Sequence, residues 1–170
     1  MQTETALIFV VEGANDAMLL RKVLQLCIPG LSSRFFAAQG KMMLASVARN
    51  IAAELGSPIM VVGDTDSPDQ VEAQRFRNDQ LEALSMLLPP NLVDAFAFSP
   101  DLDHVVAEAM QIEIAASKHK KIQALEQAVS QASAEQLRAD KQLGQFLQAV
   151  ERLWAVIAPE QQTLIEPAAV

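Results

Sequence analysis

Residues Leu7 to Leu20 read LIFVVEGANDAMLL. The run LIFVV is too short for a confident helix and too apolar for a surface loop, so Ala6 to Val11 reads as a strand buried in a parallel sheet. It stops at Glu12 and turns at Gly13. Asn15 or Asp16 then caps a helix whose apolar positions Leu19, Leu20, Val23, Leu24 and Cys27 recur at helical spacing, and Pro29 with Gly30 ends it.

The same alternation continues outward from this unit. Arg34 to Ala38 forms a second short strand around Phe35 and Phe36. Gly40 and Lys41 lead into a helix with Leu44, Val47, Ala48, Ile51 and Leu55 on one face, closed by Gly56. PIMVV at Pro58 to Val62 is a third strand, running into Gly63 and DTDSPD. Ser67 and Pro68 suit the start of a polar helix that reaches about Leu88, where Pro89 and Pro90 break it. Ala95 to Phe98 is a fourth strand, and DLDHVVAEAM after Pro100 opens a further helix. Four short apolar strands alternating with helices predict an α/β domain over residues 1–111, with a mainly parallel four-stranded sheet in a Rossmann-like three-layer arrangement.

From Ile112 onward no strand signal remains. Ile122, Leu125, Val129 and Ala132 mark one amphipathic helix, and the capping-box pair Ser133 and Gln136 opens another. Its series Leu143, Phe146, Leu147, Val150, Leu153, Trp154 and Ile157 is expected to pack on the sheet, on the preceding helix, or across a homodimer axis. Residues 112–158 are therefore read as a C-terminal helical extension, and 159–170 as a loosely held tail.

Of the 170 residues, 51% are hydrophobic and 20% charged, enough for one sizeable core. A single cysteine excludes an internal disulfide framework and a cysteine zinc cluster, so a cytoplasmic setting is expected and Cys27 should pack as a small apolar residue. The first apolar run lacks a basic leader and is cut by Glu12, short of a signal peptide or membrane span. Net charge is −8, which argues against holding DNA mainly through the protein's own field. An acid cluster that takes up cations is compatible with that balance, and so is a partner that delivers the substrate.

Loops at the carboxyl ends of parallel strands form the binding crevice. Glu12 and the pair Asp64 and Asp66 fall at such ends, so topology should bring them to one sheet edge. Hard oxygen ligands without cysteine or paired histidine suit Mg²⁺ or Mn²⁺. Two such ions roughly 3.5–4 Å apart stabilise both the attacking and the leaving oxygen of phosphoryl transfer. Each element also has a plainer reading: Glu12 as a helix-start acid, DTDS as turn and cap residues, Gly40 and Lys41 as a turn and a solvated lysine. His104 and His119 lack the paired ligands of a zinc site, and Ser117 to Lys121 is equally readable as a solvated basic face.

An apolar strand ending in VEGANDAMLL, then QGK after a second strand, then VVGDTDS after a third, resembles the Toprim domain over roughly residues 5 to 110. That domain is shared by topoisomerases, bacterial primases, recombination proteins and the overcoming-lysogenization-defect (OLD) nucleases. The resemblance implies that Glu12 acts as metal ligand or general acid/base and that Asp64 and Asp66 form the metal-binding DxD. Asp16 resembles the second acid that OLD-type nucleases place there. Leu102-Asp103-His104 looks like the Leu-Glu-Asp stretch that often follows the fourth strand. Asp103 stands at its glutamate position and is shorter by one methylene. A lysine after the core is also implied, with Lys118, Lys120 and Lys121 as candidates. Apart from the resemblance, Lys41 beside the crevice reads equally as a phosphate-holding residue or as a solvated first-turn lysine.

The departures narrow the activity. With no tyrosine the chain lacks the topoisomerase nucleophile, and with no GxxxxGK[ST] it lacks the ATPase half of an OLD protein. The expectation is a stand-alone, Mg²⁺- or Mn²⁺-dependent nuclease or nickase acting on nucleic acid, DNA rather than RNA. The alternatives are a non-catalytic binding module working with a separate ATPase, and a small phosphatase.

Overall fold

The computed structural model describes residues 5–114 and 116–162. Four parallel strands, β1 (Leu7–Val11), β2 (Ser33–Ala37), β3 (Ile59–Asp64) and β4 (Val93–Phe98), form one sheet in the order β2-β1-β3-β4. The helices are α1 (Ala14–Cys27), α2 (Leu44–Leu55), α3 (Gln70–Leu84), α4 (Leu102–Met110), α5 (Lys118–Gln131), α6 (Ala134–Ala139) and α7 (Lys141–Gln162). The predicted α/β class and parallel sheet are what the chain forms. Among the described residues no helix is long and apolar enough to cross a membrane.

Strand side chains alternate between two cores, as the two-residue period of a strand requires. Leu7, Phe9, Val11, Met60, Val62 and Phe98 meet α1, α4, α5, α6 and α7 on one face. Ile8, Val10, Ile59, Val61, Val93 and Ala95 meet α2 and α3 on the other. This gives three layers, with helices switching faces where the chain reverses its direction across the sheet. The reversal lies between β1 and β3, which are neighbours although β2 intervenes in sequence.

The C-terminal series is spent inside its own chain. Leu143, Phe146, Leu147, Val150, Leu153 and Ile157 join the core of α1 and β1. Phe146 also completes an aromatic cluster with Phe96 and Phe98, centroids 5.5 and 5.4 Å away. Cys27 is buried as expected.

Several boundaries differ from the sequence reading. Gly13, with extended backbone, precedes the first turn of α1, and Asp16 lies inside that turn rather than at its cap. Asp69, not Ser67, caps α3, its Oδ1 accepting the Val71 N–H, and the helix ends at Leu84 instead of near Leu88. The helix expected to run on from Ser133 is two helices, because Asp140 is extended and its carboxylate caps the second by accepting the Leu143 N–H. Helix α7 continues past Pro159 to Gln162, so part of the expected loose tail is helical, while residues 163–170 lie outside the described residues.

The outer edge of β4 is bridged just past its carboxyl end. Gln142 of α7 accepts the Ser99 N–H at 2.9 Å and donates to the Ser99 carbonyl at 2.8 Å. Ala95 and Ala97 are buried. Replacing Phe146 with alanine is expected to cost about 3–5 kcal/mol of unfolding free energy. Urea denaturation would measure this, and a loss as small as that of an exposed side chain would show that α7 is dispensable to the core.

Candidate functional site

The switch point between β1 and β3 puts Glu12 and Asp64 next to each other. Val11 pairs with Val62 in register, so Glu12, the first residue after β1, comes level with Gly63 and Asp64, the last two residues of β3. The Glu12 carboxylate crosses between strands and its Oε1 accepts the Asp64 N–H at 2.9 Å. Gly63 makes room for this crossing. A Cβ there would come within 3.2 Å of Glu12 Oε1 and 2.7 Å of the Phe76 ring. The Glu12 carbonyl accepts the Gly40 N–H at 2.9 Å, tying the loop after β2 to the same edge.

Asp64 is half-buried and its Oδ1 accepts the Leu102 N–H, the first residue of α4, at 2.9 Å. Burial pushes its pKa up to about 8, reinforced by the negative charges of Asp16, Glu12 and Asp101 and opposed by the Leu102 N–H. Asp16 is raised to about 6, again mainly by burial, with Asp103, Glu12 and Asp101 adding repulsion and the Gly13 N–H, 2.9 Å from its Oδ2, opposing. Two neighbouring carboxyls thus sit in surroundings that penalise their ionised forms.

The remaining predicted residues lie around these. Asp66 is in the left-handed region at φ 58, its N–H donating to the Pro100 carbonyl at 2.8 Å, and its exposed carboxylate pairs with Lys41 at 3.2 Å. Asp103, in the first turn of α4, pairs with Lys121 of α5 at 2.6 Å, which holds the lysine in its charged form. Glu12, Asp16, Gly40, Asp103, Lys118 and Lys121 line a cleft of about 380 Å³. Lys120 is exposed on α5 and does not line it, and neither does half-buried Asp64. A larger cleft, about 540 Å³, opens at the opposite end of the strands, but Arg34 is its only ionisable lining residue, so the acid chemistry belongs to the smaller one.

Asp101 was not among the predicted acids. It caps α4 by accepting the His104 N–H at 2.8 Å, its other oxygen meets His104 Nδ1 at 2.7 Å, and its charge adds to the pKa shifts of both Asp64 and Asp16. The DLDH helix start after Pro100 was the signal for a cap there. Proximity to Asp64 came only from the fold.

Among the described residues no three carboxylate, imidazole or thiol groups converge closely enough to enclose one ion. The acids are instead engaged by backbone N–H groups and lysines. The donor chemistry nonetheless suits a hard divalent cation: all-oxygen groups, two of them destabilised as anions until positive charge arrives. No protein-family model matches the chain, and comparisons with curated proteins and with solved structures return no match.

The raised acids set a pH dependence. Asp16 and Asp64 bind protons in the folded chain at pH values where their unfolded counterparts, with pKa 3.8, have lost them. The resulting stabilisation is complete below the unfolded value and is lost as pH rises through about 6 for Asp16 and about 8 for Asp64. Melting temperature should therefore decline between pH 5 and 9, and Asp64→Asn, which keeps the acceptor for Leu102, should flatten the upper part of that decline; identical pH profiles for the two proteins would contradict this protonation.

Proposed function

We propose that the chain is a Toprim-type protein that binds Mg²⁺ or Mn²⁺ at the β1/β3 edge and cleaves phosphodiester bonds in nucleic acid, DNA rather than RNA. The observation that carries this reading is the adjacency of Glu12 and Asp64 at the switch point, joined through the Asp64 N–H and surrounded by Asp16, Asp101 and Asp103. Glu12, Asp16 and Asp64 do not converge on one point as they stand, so they would have to draw together to hold the cation, with Asp66 and Asp103 available once Lys41 and Lys121 release them. When bound, a divalent ion supplies charge neutralisation at a phosphoryl oxygen.

The chain's own groups have distinct tasks in this reading. The Asp64 N–H fixes the orientation of Glu12, so the other Glu12 oxygen is left to take a proton or a ligand. Lys118 and Lys121 on one wall of the cleft attract phosphate oxygens and offset the acidic field of a chain with net charge −8. Asp64 and Asp16, whose ionised forms burial penalises, would lose their protons where a cation is bound, so that no isolated charge is left inside. The reading includes a reducing, cytoplasmic compartment.

A second reading, a non-catalytic nucleotide or nucleic-acid binding module that acts with a separate ATPase, is favoured by one feature. Both Asp66 and Asp103 are closed by lysine ion pairs.

Calorimetric titration with Mn²⁺ is expected to give saturable binding that falls at least about tenfold in Asp64→Ala/Asp66→Ala. Equal binding by both proteins would remove the site assignment. Plasmid and single-stranded substrates with Mn²⁺ then separate the two readings: cleavage abolished by Glu12→Gln supports the nuclease, whereas metal binding without any Glu12-dependent cleavage supports the binding module.

A further inference from the structure

The two edges of the sheet are treated differently. At β1 the Leu7 N–H donates to the Ser32 carbonyl and the Ala38 N–H donates to the Val11 carbonyl. With Leu7 opposite Ser33 and Val11 opposite Ala37, the groups facing β1 are those of residues 32, 34, 36 and 38. Ser33, Phe35 and Ala37 therefore turn their N–H and C=O groups outward. Among the described residues no hydrogen bond takes them. Unlike β4, where Ala95 and Ala97 are buried and Gln142 of α7 bridges Ser99, β2 presents an open ladder in which Ala37 is exposed.

This open edge carries positive charge on both faces. The Arg21 guanidinium of α1 lies over the Phe35 ring at 5.1 Å, and the Arg34 guanidinium lies over Phe36 at 5.6 Å. Both arginines are exposed, and neither has an ion-pair partner among the described residues, in a chain that is acidic overall. We infer that β2 is a docking edge for an extended acidic segment of a partner protein, which adds a fifth strand beside Ser33–Ala37 and places carboxylates against Arg21 and Arg34.

The chemistry selects this occupant. A peptide backbone supplies both donors and acceptors to the outward groups, and its alternating side chains reach both faces, where Phe35 and Phe36 offer apolar surface. A nucleic-acid backbone offers phosphate acceptors to the arginines but leaves the outward carbonyls without donors. A second copy would add two more guanidiniums to the seam and no carboxylate, since β2 reads SRFFA. The inference is independent of the metal chemistry proposed for the carboxyl edge.

Fluorescence anisotropy with a blocked, labelled peptide, Val-Glu-Glu-Val-Glu-Glu-Val, and its lysine counterpart tests the edge on the full chain. The glutamate peptide should bind and the lysine peptide should not. Ala37→Pro removes one outward N–H while leaving the β1 ladder intact, and both it and Arg21→Ala/Arg34→Ala should weaken binding about tenfold. Thermal melts check that each variant is folded, and Arg21→Glu/Arg34→Glu, which leaves the backbone untouched, should switch preference to the lysine peptide. Absence of glutamate-peptide binding, equal binding of both peptides, or indifference to the arginine substitutions overturns the inference. So does concentration-dependent dimerisation lost in Ala37→Pro, which would make the occupant a second copy. Oligothymidylate displacing the peptide and binding Ala37→Pro as well as wild type would make it nucleic acid.

Discussion

The hydrogen bond from the Asp64 N–H to Glu12 Oε1 is the constraint around which the functional edge is built. A carboxylate accepting a backbone N–H in a partly buried setting is a charge-assisted bond with directional demands. It requires β1 and β3 to be neighbours in register, and glycine at position 63 gives it room, because a Cβ there would overlap the Phe76 ring and crowd Glu12 Oε1. The remaining acids are arranged around it by short local devices: Asp16 closes onto Gly13, Asp64 onto the start of α4, and Asp101 onto His104.

Electrostatics gives the edge its character. Burial of Asp64 and Asp16, compounded by mutual repulsion, raises both pKa values, while two lysine pairs neutralise the outer acids. The edge is thus short of positive charge inside and supplied with it at the rim. Burying carboxylates in this way is unfavourable for folding and is offset by the two apolar cores that α1 to α7 build on either side of the sheet. The β2 edge has the opposite character, with two guanidiniums that have no carboxylate partner among the described residues.

Much of the fold was legible because strand and helix periods differ. LIFVV, PIMVV and the β4 run announced buried strands, and the apolar series of α1, α2 and α7 announced their inward faces. Helix boundaries were less legible because caps compete locally. Serine, aspartate and glycine in DTDSPD and EGAND all favour helix starts, and only the three-dimensional path of the loop selects Asp69 in one case and the turn at Gly13 in the other. The C-terminal series could be read as amphipathic but not assigned a partner, since the same stripe fits a sheet, a helix or another copy. Phe146 meeting Phe96 and Phe98 resolved it.

By itself the sequence determined the class of fold, the placement of Glu12, Asp64 and Asp66 at strand ends, and the absence of a tyrosine nucleophile and a phosphate loop, since these follow from residue type and short-range spacing. Tertiary structure decided which of those acids meet. Asp64 turns inward while Asp66, two residues on, sits exposed in the left-handed region against Lys41. Asp101 joins the cluster from a different strand end, and Lys121 reaches the cleft where Lys120 does not. Local spacing fixes the direction in which a strand ends. Burial, charge proximity and open edges arise only when distant segments pack.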